Sequence, residues 1–149
     1  MNESILAIDP GSKQSAVVMY NNETIVTSCI SDNPAVFCNI ENAVCDVVVI
    51  EMVACYGMPV GREIFDTVRY IGRFEQHAKM HGKRVDLVYR KDIKMHFCNS
   101  ARAKDSNIRQ ALIDRFGEPG TKKAPGKTYG LKADMWAALA VAVYYSDIK

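Results

Sequence analysis

With 149 residues, 48% of them hydrophobic, the chain has the length of one domain and enough apolar content to bury a core. It lacks a long apolar run and a basic-then-apolar start, so neither a membrane span nor a secretory leader is expected. Five cysteines without CxxC spacing suit reduced thiols in a cytoplasmic protein better than a disulfide framework or a zinc site.

Net charge is only +2 but unevenly spread. Residues 1–78 hold four Lys/Arg against ten Asp/Glu, and residues 79–109 hold nine against three. Residues 120–132 add Lys122, Lys123, Lys127 and Lys132 with no acid. Such asymmetry suits a polyanionic ligand, although a solvated basic face gives the same pattern.

In chain order, residues 5–9, 15–20 and 24–30 read as three short strands. Pro10-Gly11 and Asn21-Asn22 supply the turns of an antiparallel meander. Residues 34–42 predict a short helix with Asn33 as its N-cap. The run 47–51 is apolar and β-branched, as a strand buried on both faces should be. After a loop over 52–59, Val60, Ile64, Val68, Ile71, Phe74 and Ala78 recur three and four apart, predicting a long helix that Gly82 ends. Residues 84–89 form the fifth predicted strand, and 91–97 and 104–116 two further helices. A loop with two prolines and four glycines (117–130) leads to an Ala-rich last helix over 131–146. A meander followed by strands alternating with helices predicts an α/β fold, a mixed sheet covered by helices, in a single domain over 1–149.

Three carboxylates stand out in this frame. Asp9 ends the first strand just before Pro10-Gly11, Glu51 ends the fourth, and Asp134 lies at the start of the last helix. Carboxylates on separate elements that converge on one spot hold magnesium for phosphoryl chemistry. Singly, each has a plainer reading: a turn residue, a surface acid and a helix cap. Lys91, Lys94, Lys104 and Lys132, with Lys122, Lys123 and Lys127, are candidates for phosphate contacts. Tyr56, five residues after Glu51, could stack on an unpaired base at a branch point. His77 and His81 have the i, i+4 spacing of a helical metal pair, but no HExxH pattern surrounds them. They read as structural residues at a helix C-terminus.

Taken in order, the segments 5–12, 48–51, the helix from about Val60 and the segment 131–143 resemble the RuvC-type Holliday junction resolvases, a branch of the RNase H-like nucleases. Arg90-Lys91-Asp92-Ile93-Lys94 and Ala103-Lys104-Asp105 resemble the basic connecting region of that family. The resemblance implies a five-stranded sheet of order 3-2-1-4-5, which sets Asp9 beside Glu51 and lays Asp134 across the same end. It further implies a magnesium-dependent endodeoxyribonuclease, with manganese as a substitute ion, held by Asp9, Glu51 and Asp134. The implied substrate is branched DNA such as a four-way junction, with 5′-phosphate products. A homodimer is expected, because two symmetric nicks need two sites related by a two-fold axis. The helix from Val60, with Gly61 and Gly72, is the candidate dimer surface. The sequence departs from the bacterial pattern at Ala137, where a second Asp would stand three residues after Asp134. It is in this respect similar to the small phage-type relatives, and a phage or prophage origin is expected. Two other readings stay open: a branched-DNA-binding module that does not cut, and an actin- or hexokinase-like nucleotide-binding domain built on the same Asp-x-Gly start.

Overall fold

A computed structural model describes residues 2–149. The elements run β1 (Ile5–Asp9), β2 (Gln14–Asn21), β3 (Thr24–Asp32), α1 (Asn33–Asn42), β4 (Val47–Met52), α2 (Arg62–Met80), β5 (Arg84–Tyr89), α3 (Arg90–Cys98), α4 (Asp105–Phe116) and α5 (Met135–Ile148). The strands form one sheet of order β3-β2-β1-β4-β5. β1, β2 and β3 pair antiparallel, while β1, β4 and β5 run parallel. This is the mixed sheet covered by helices that the sequence predicts, in the 3-2-1-4-5 order that the resemblance implies.

Alternation along the strands sorts the core into two layers. Ile5, Ala7, Ala16, Val18, Tyr20, Val47 and Val49 face α5, with Ile93 of α3 and Ile108 and Leu112 of α4. Leu6, Ile8, Val17, Val48 and Ile50 face Val36 and Ile40 of α1 and Ile71, Phe74 and Ala78 of α2. β4 lies between β1 and β5 with both faces covered, and its residues 47–50 are wholly buried. α5 is apolar nearly all round because sheet, α3 and α4 enclose it.

The structure moves several expected boundaries. The turn between β2 and β3 is Asn22-Glu23, both at positive φ (54° and 60°), the backbone of a two-residue hairpin. α2 begins at Arg62, after an extended Gly61, rather than at Val60. The last helix begins at Met135 and not at residue 131, because Ala133 adopts φ 49° and cannot continue a right-handed helix. Asp134 is therefore the residue that precedes the helix, at its N-cap position, with no side-chain capping bond.

Asn33 is likewise no cap. It is the first residue of α1, fully buried, and Asp32 holds the N-cap position. The Asn33 Nδ2 donates to the Gly11 carbonyl (2.8 Å), and its Oδ1 accepts from Ser15 Oγ (2.6 Å). The Gly11 N–H in turn donates to Ser15 Oγ at 3.2 Å. This buried network ties α1 to the turn that directly follows Asp9. Gly11 is required there, since a Cβ would stand 2.3 Å from the Gln14 carbonyl oxygen. Asn33→Ala orphans a half-buried carbonyl and a buried hydroxyl together. It should lower stability by about 1–3 kcal/mol, read as a reduced urea midpoint at unchanged m-value.

Candidate active site

The β1–β4 register pairs Ile8 with Ile50, so Asp9 and Glu51 are the next residues on adjacent parallel strands. By strand alternation both side chains project to the α5 face. Their side chains are only 12% and 10% exposed, which puts two carboxyl groups together with little water. Burial, then the hydrogen bond to Glu51 and the Glu51 charge, push the Asp9 carboxyl up to about 9. Burial and the neighbouring carboxylate thus favour the protonated form of Asp9.

Arg90, the first residue of α3, supplies the opposing charge. Its Nε and Nη2 donate to the two oxygens of Glu51 at 2.9 and 3.0 Å, a bidentate pair. Nη2 stands 3.8 Å from Asp9 Oδ1, and Nη1 donates to Asp105 Oδ1 at 2.5 Å. Burial works against the Arg90 charge. The bonds to Glu51 and the charges of Glu51, Asp105 and Asp9 outweigh it and hold the guanidinium above its ordinary range. The sequence reading placed Arg90 only in a basic stretch and gave Asp105 no role. Their one sequence signal is position: Arg90 directly follows β5, the neighbour of β4.

Asp134 enters from the other side. It lines a recess of about 260 Å³ together with Glu51, Arg90, Asp105, Arg109 and Ala137. That is room for a phosphate group and several waters, at about 30 Å³ per water. The positive φ of Ala133, costly for a residue with a Cβ, sets the approach of Asp134. Asp134 is exposed and adds its negative charge to the field at Asp9 more weakly than Glu51 does. Ala137, one turn into the helix, also faces the recess and offers it no oxygen. The Arg109 guanidinium lies over the Trp136 ring, 4.8 Å from its centroid, at the recess wall.

Among the described residues the recess walls carry two arginines and no lysine. Lys91 and Tyr56 lie beside it: the Lys91 Nζ is 5.7 Å from the Tyr56 ring centroid, and Tyr56, at φ 50°, lines an adjoining hollow with Pro10, Glu51 and Arg90. Lys104 is exposed at the start of α4, Lys94 is half-buried on α3, and Lys132 is exposed two residues before Asp134. Lys122 and Lys123 are exposed at the tip of a tight loop closed by the Gly120–Pro125 bridge, and Lys127 is exposed just beyond it. Glu51 and Asp134 thus line one recess, Asp9 lies beside Glu51 at the neighbouring strand end, and Tyr56 and Lys91 stand at the edge of the recess. The remaining lysines stand outside its walls.

Oxygen donors are the set a hard divalent ion takes, and two carboxyl groups crowded together with little water are what a cation relieves. Asp9, Glu51 and Asp134 fit such an ion in donor chemistry. Arg90 presently carries the positive charge there.

No family model and no curated protein matches this chain. Solved structures do. Thermus thermophilus RuvC superposes with a TM-score of 0.72 at 13% identity, over 97% of this chain and 96% of that one. T. thermophilus RuvC in complex with a Holliday junction substrate gives 0.71 at 14% identity, over 95% and 92%. The chain has the RNase H-like fold of RuvC along nearly its whole length. No helix among the described residues is long and apolar enough to cross a membrane.

The raised Asp9 carboxyl has a consequence for stability. The unfolded chain releases this proton near the ordinary carboxylate value, the folded chain only near 9, so between those limits the folded state binds more protons. The contribution is fully present below about pH 4 and is lost as pH rises toward 9. In metal-free buffer Asp9→Asn should abolish this slope. It should also raise Tm at pH 8, by roughly 3 °C for each kcal/mol relieved. Parallel Tm-against-pH curves for the two proteins would contradict the assignment.

Proposed function

We propose that this protein is a structure-selective endodeoxyribonuclease that cleaves Holliday junctions or related branched DNA, with residues 1–149 acting as one nuclease domain. The observation that carries the reading is Asp9 beside Glu51 at adjacent strand ends, with Glu51 and Asp134 lining one recess, on a sheet with the RuvC fold. Magnesium, or manganese in its place, held by these three residues would supply Lewis acidity toward the scissile phosphate and the attacking water. Asp9, on which the charges of both Glu51 and Asp134 act, would serve the whole site. Arg90 balances the two buried carboxylates before the ion and DNA arrive. Arg109 and Arg90 present positive charge to a phosphate entering the recess. Lys91, Lys94, Lys104, Lys122, Lys123, Lys127 and Lys132 hold the flanking backbone, and Tyr56 stacks on a base opened at the branch.

Two symmetric nicks need two copies, and α2 supports a homodimer: Phe65 and Met80 are exposed on it, and nothing lies within 4 Å of a Cβ built at Gly72. Ala137 supports the small phage-type variant with three acids. One observation favours a second reading, a module that binds branched DNA without cutting. Arg90 bridges Asp9, Glu51 and Asp105, and among the described residues the three proposed ligands do not close into a preformed cluster.

Cleavage of a synthetic four-way junction in magnesium separates the two. The wild type should release 5′-phosphate ends, while Asp9→Asn binds the junction and leaves it uncut. Binding without cutting by both proteins would favour the module. Ala137→Asp places a carboxylate one turn after Asp134 and should lower the magnesium concentration for half-maximal cleavage. An unchanged midpoint in folded variant would remove position 137 from the site. Junction affinity should fall steeply with salt. A Lys122→Ala/Lys123→Ala double variant should flatten the log–log slope by roughly one to two.

A further inference from the structure

A second cluster of ligating groups lies away from the carboxylate recess, on the face of the sheet covered by α1 and α2. Glu41 stands near the end of α1, and His77 and His81 near the end of α2. One oxygen and two ring nitrogens from these residues all lie within 4.8 Å of one another. His77 Nε2 is 2.8 Å and His81 Nε2 is 3.9 Å from the same oxygen, Glu41 Oε1.

We propose that Glu41, His77 and His81 bind a zinc-class divalent ion. Three features carry this. The donor set is two imidazoles and a carboxylate, which favours Zn2+ or Co2+ over Mg2+. Ligand atoms around a tetrahedral ion stand about 3.3 Å apart, given bonds of about 2.0–2.1 Å. Binding therefore requires His77 Nε2 to release the proton it donates to Glu41 and that contact to open by about half an ångström, the His81 contact to close by about as much, and the two imidazole nitrogens to draw together. The third feature is the tautomer of His81. Its Nδ1 lies 2.9 Å from the His77 carbonyl oxygen. A carbonyl only accepts, so Nδ1 carries a proton, and in the neutral imidazole Nε2 is the nitrogen with the lone pair, on the side of Glu41. A ring nitrogen fixed in this way by a backbone carbonyl is the usual support of a metal-bound histidine. The Phe37 ring packs edge-on against His77, 5.1 Å between centroids, and restrains that imidazole. The fourth position is open to water.

The neighbouring cations do not occupy the site. Lys79 pairs with Glu75 at 3.0 Å, and Lys83 reaches the Glu41 main-chain carbonyl at 3.5 Å rather than the carboxylate. A bound ion would clip the C-terminal ends of α1 and α2 together.

The test is titration of the full chain with Co2+ and Zn2+ in excess magnesium, which occupies all-oxygen sites and leaves imidazoles free. One equivalent should bind, raise Tm and give Co2+ d–d bands without a thiolate charge-transfer band. His81→Gln, at an exposed position, and Glu41→Gln should each weaken binding at least about a hundredfold, beyond the 10–100-fold that outer-shell changes cost. Both variants should keep the metal-free Tm within a few degrees and keep any junction cleavage. Absence of a bound equivalent, wild-type affinity in His81→Gln, or a thiolate band assigning the ion to cysteine would each overturn the site. None of these readouts depends on nuclease activity.

Discussion

The whole site rests on one electrostatic conflict: two carboxyl groups brought side by side at the ends of adjacent parallel strands, both turned toward the helical layer that excludes water. Parallel pairing of β1 with β4 in the observed register leaves Asp9 and Glu51 no other arrangement. Burying two like charges is unfavourable unless something compensates them. Two compensations are present, the raised proton affinity of Asp9 and the guanidinium of Arg90. A site that is unfavourable when empty and relieved by cations is suited to receiving a metal ion and a phosphate together.

The rest of the fold makes that conflict tolerable. β4 is buried on both faces, and α5 is enclosed by sheet and helices, so the strand ends cannot splay to relieve the repulsion. On the opposite side of the turn, the Asn33–Ser15–Gly11 network pins the backbone immediately after Asp9. Hydrogen bonds of this kind contribute modest net stability, but leaving them unmade is costly. Their value here is positional, since they tie the first helix to the loop that carries the site.

In the nuclease reading proposed above, the recess would separate chemistry from grip. Its walls combine Glu51, Asp105 and Asp134 with Arg90 and Arg109, whereas the loop lysines are exposed outside it. Long-range attraction to a polyanion needs charge on the surface, and contact at a reacting phosphate needs charge that is held in place. Arginine serves the second role better than lysine because its planar fork can be fixed by two carboxylates at once, as Arg90 is by Glu51 and Asp105.

Strand periodicity, the β-branched run ending in Glu51 and the apolar period of the long helix made the element order and sheet class legible in the sequence alone. They did so because burial on a pleated or helical face imposes a local pattern. The order of Asp9, Glu51 and Asp134 along the chain was equally legible. Three things were not. Asn33 reads as a cap, since a cap and a buried brace use the same amide. The true start of α5 depends on the left-handed Ala133, and nothing in an alanine signals positive φ. The Arg90 bridge joins residues 39, 15 and 81 positions apart in the chain, to Glu51, Asp105 and Asp9 respectively. The His77–His81 pair was visible as a spacing, but its third partner, Glu41, comes from another helix. Local periodicity determined what the elements are; which side chains share a charge or a proton was decided only by packing, because electrostatic partners are chosen by distance in space and leave no period in the sequence.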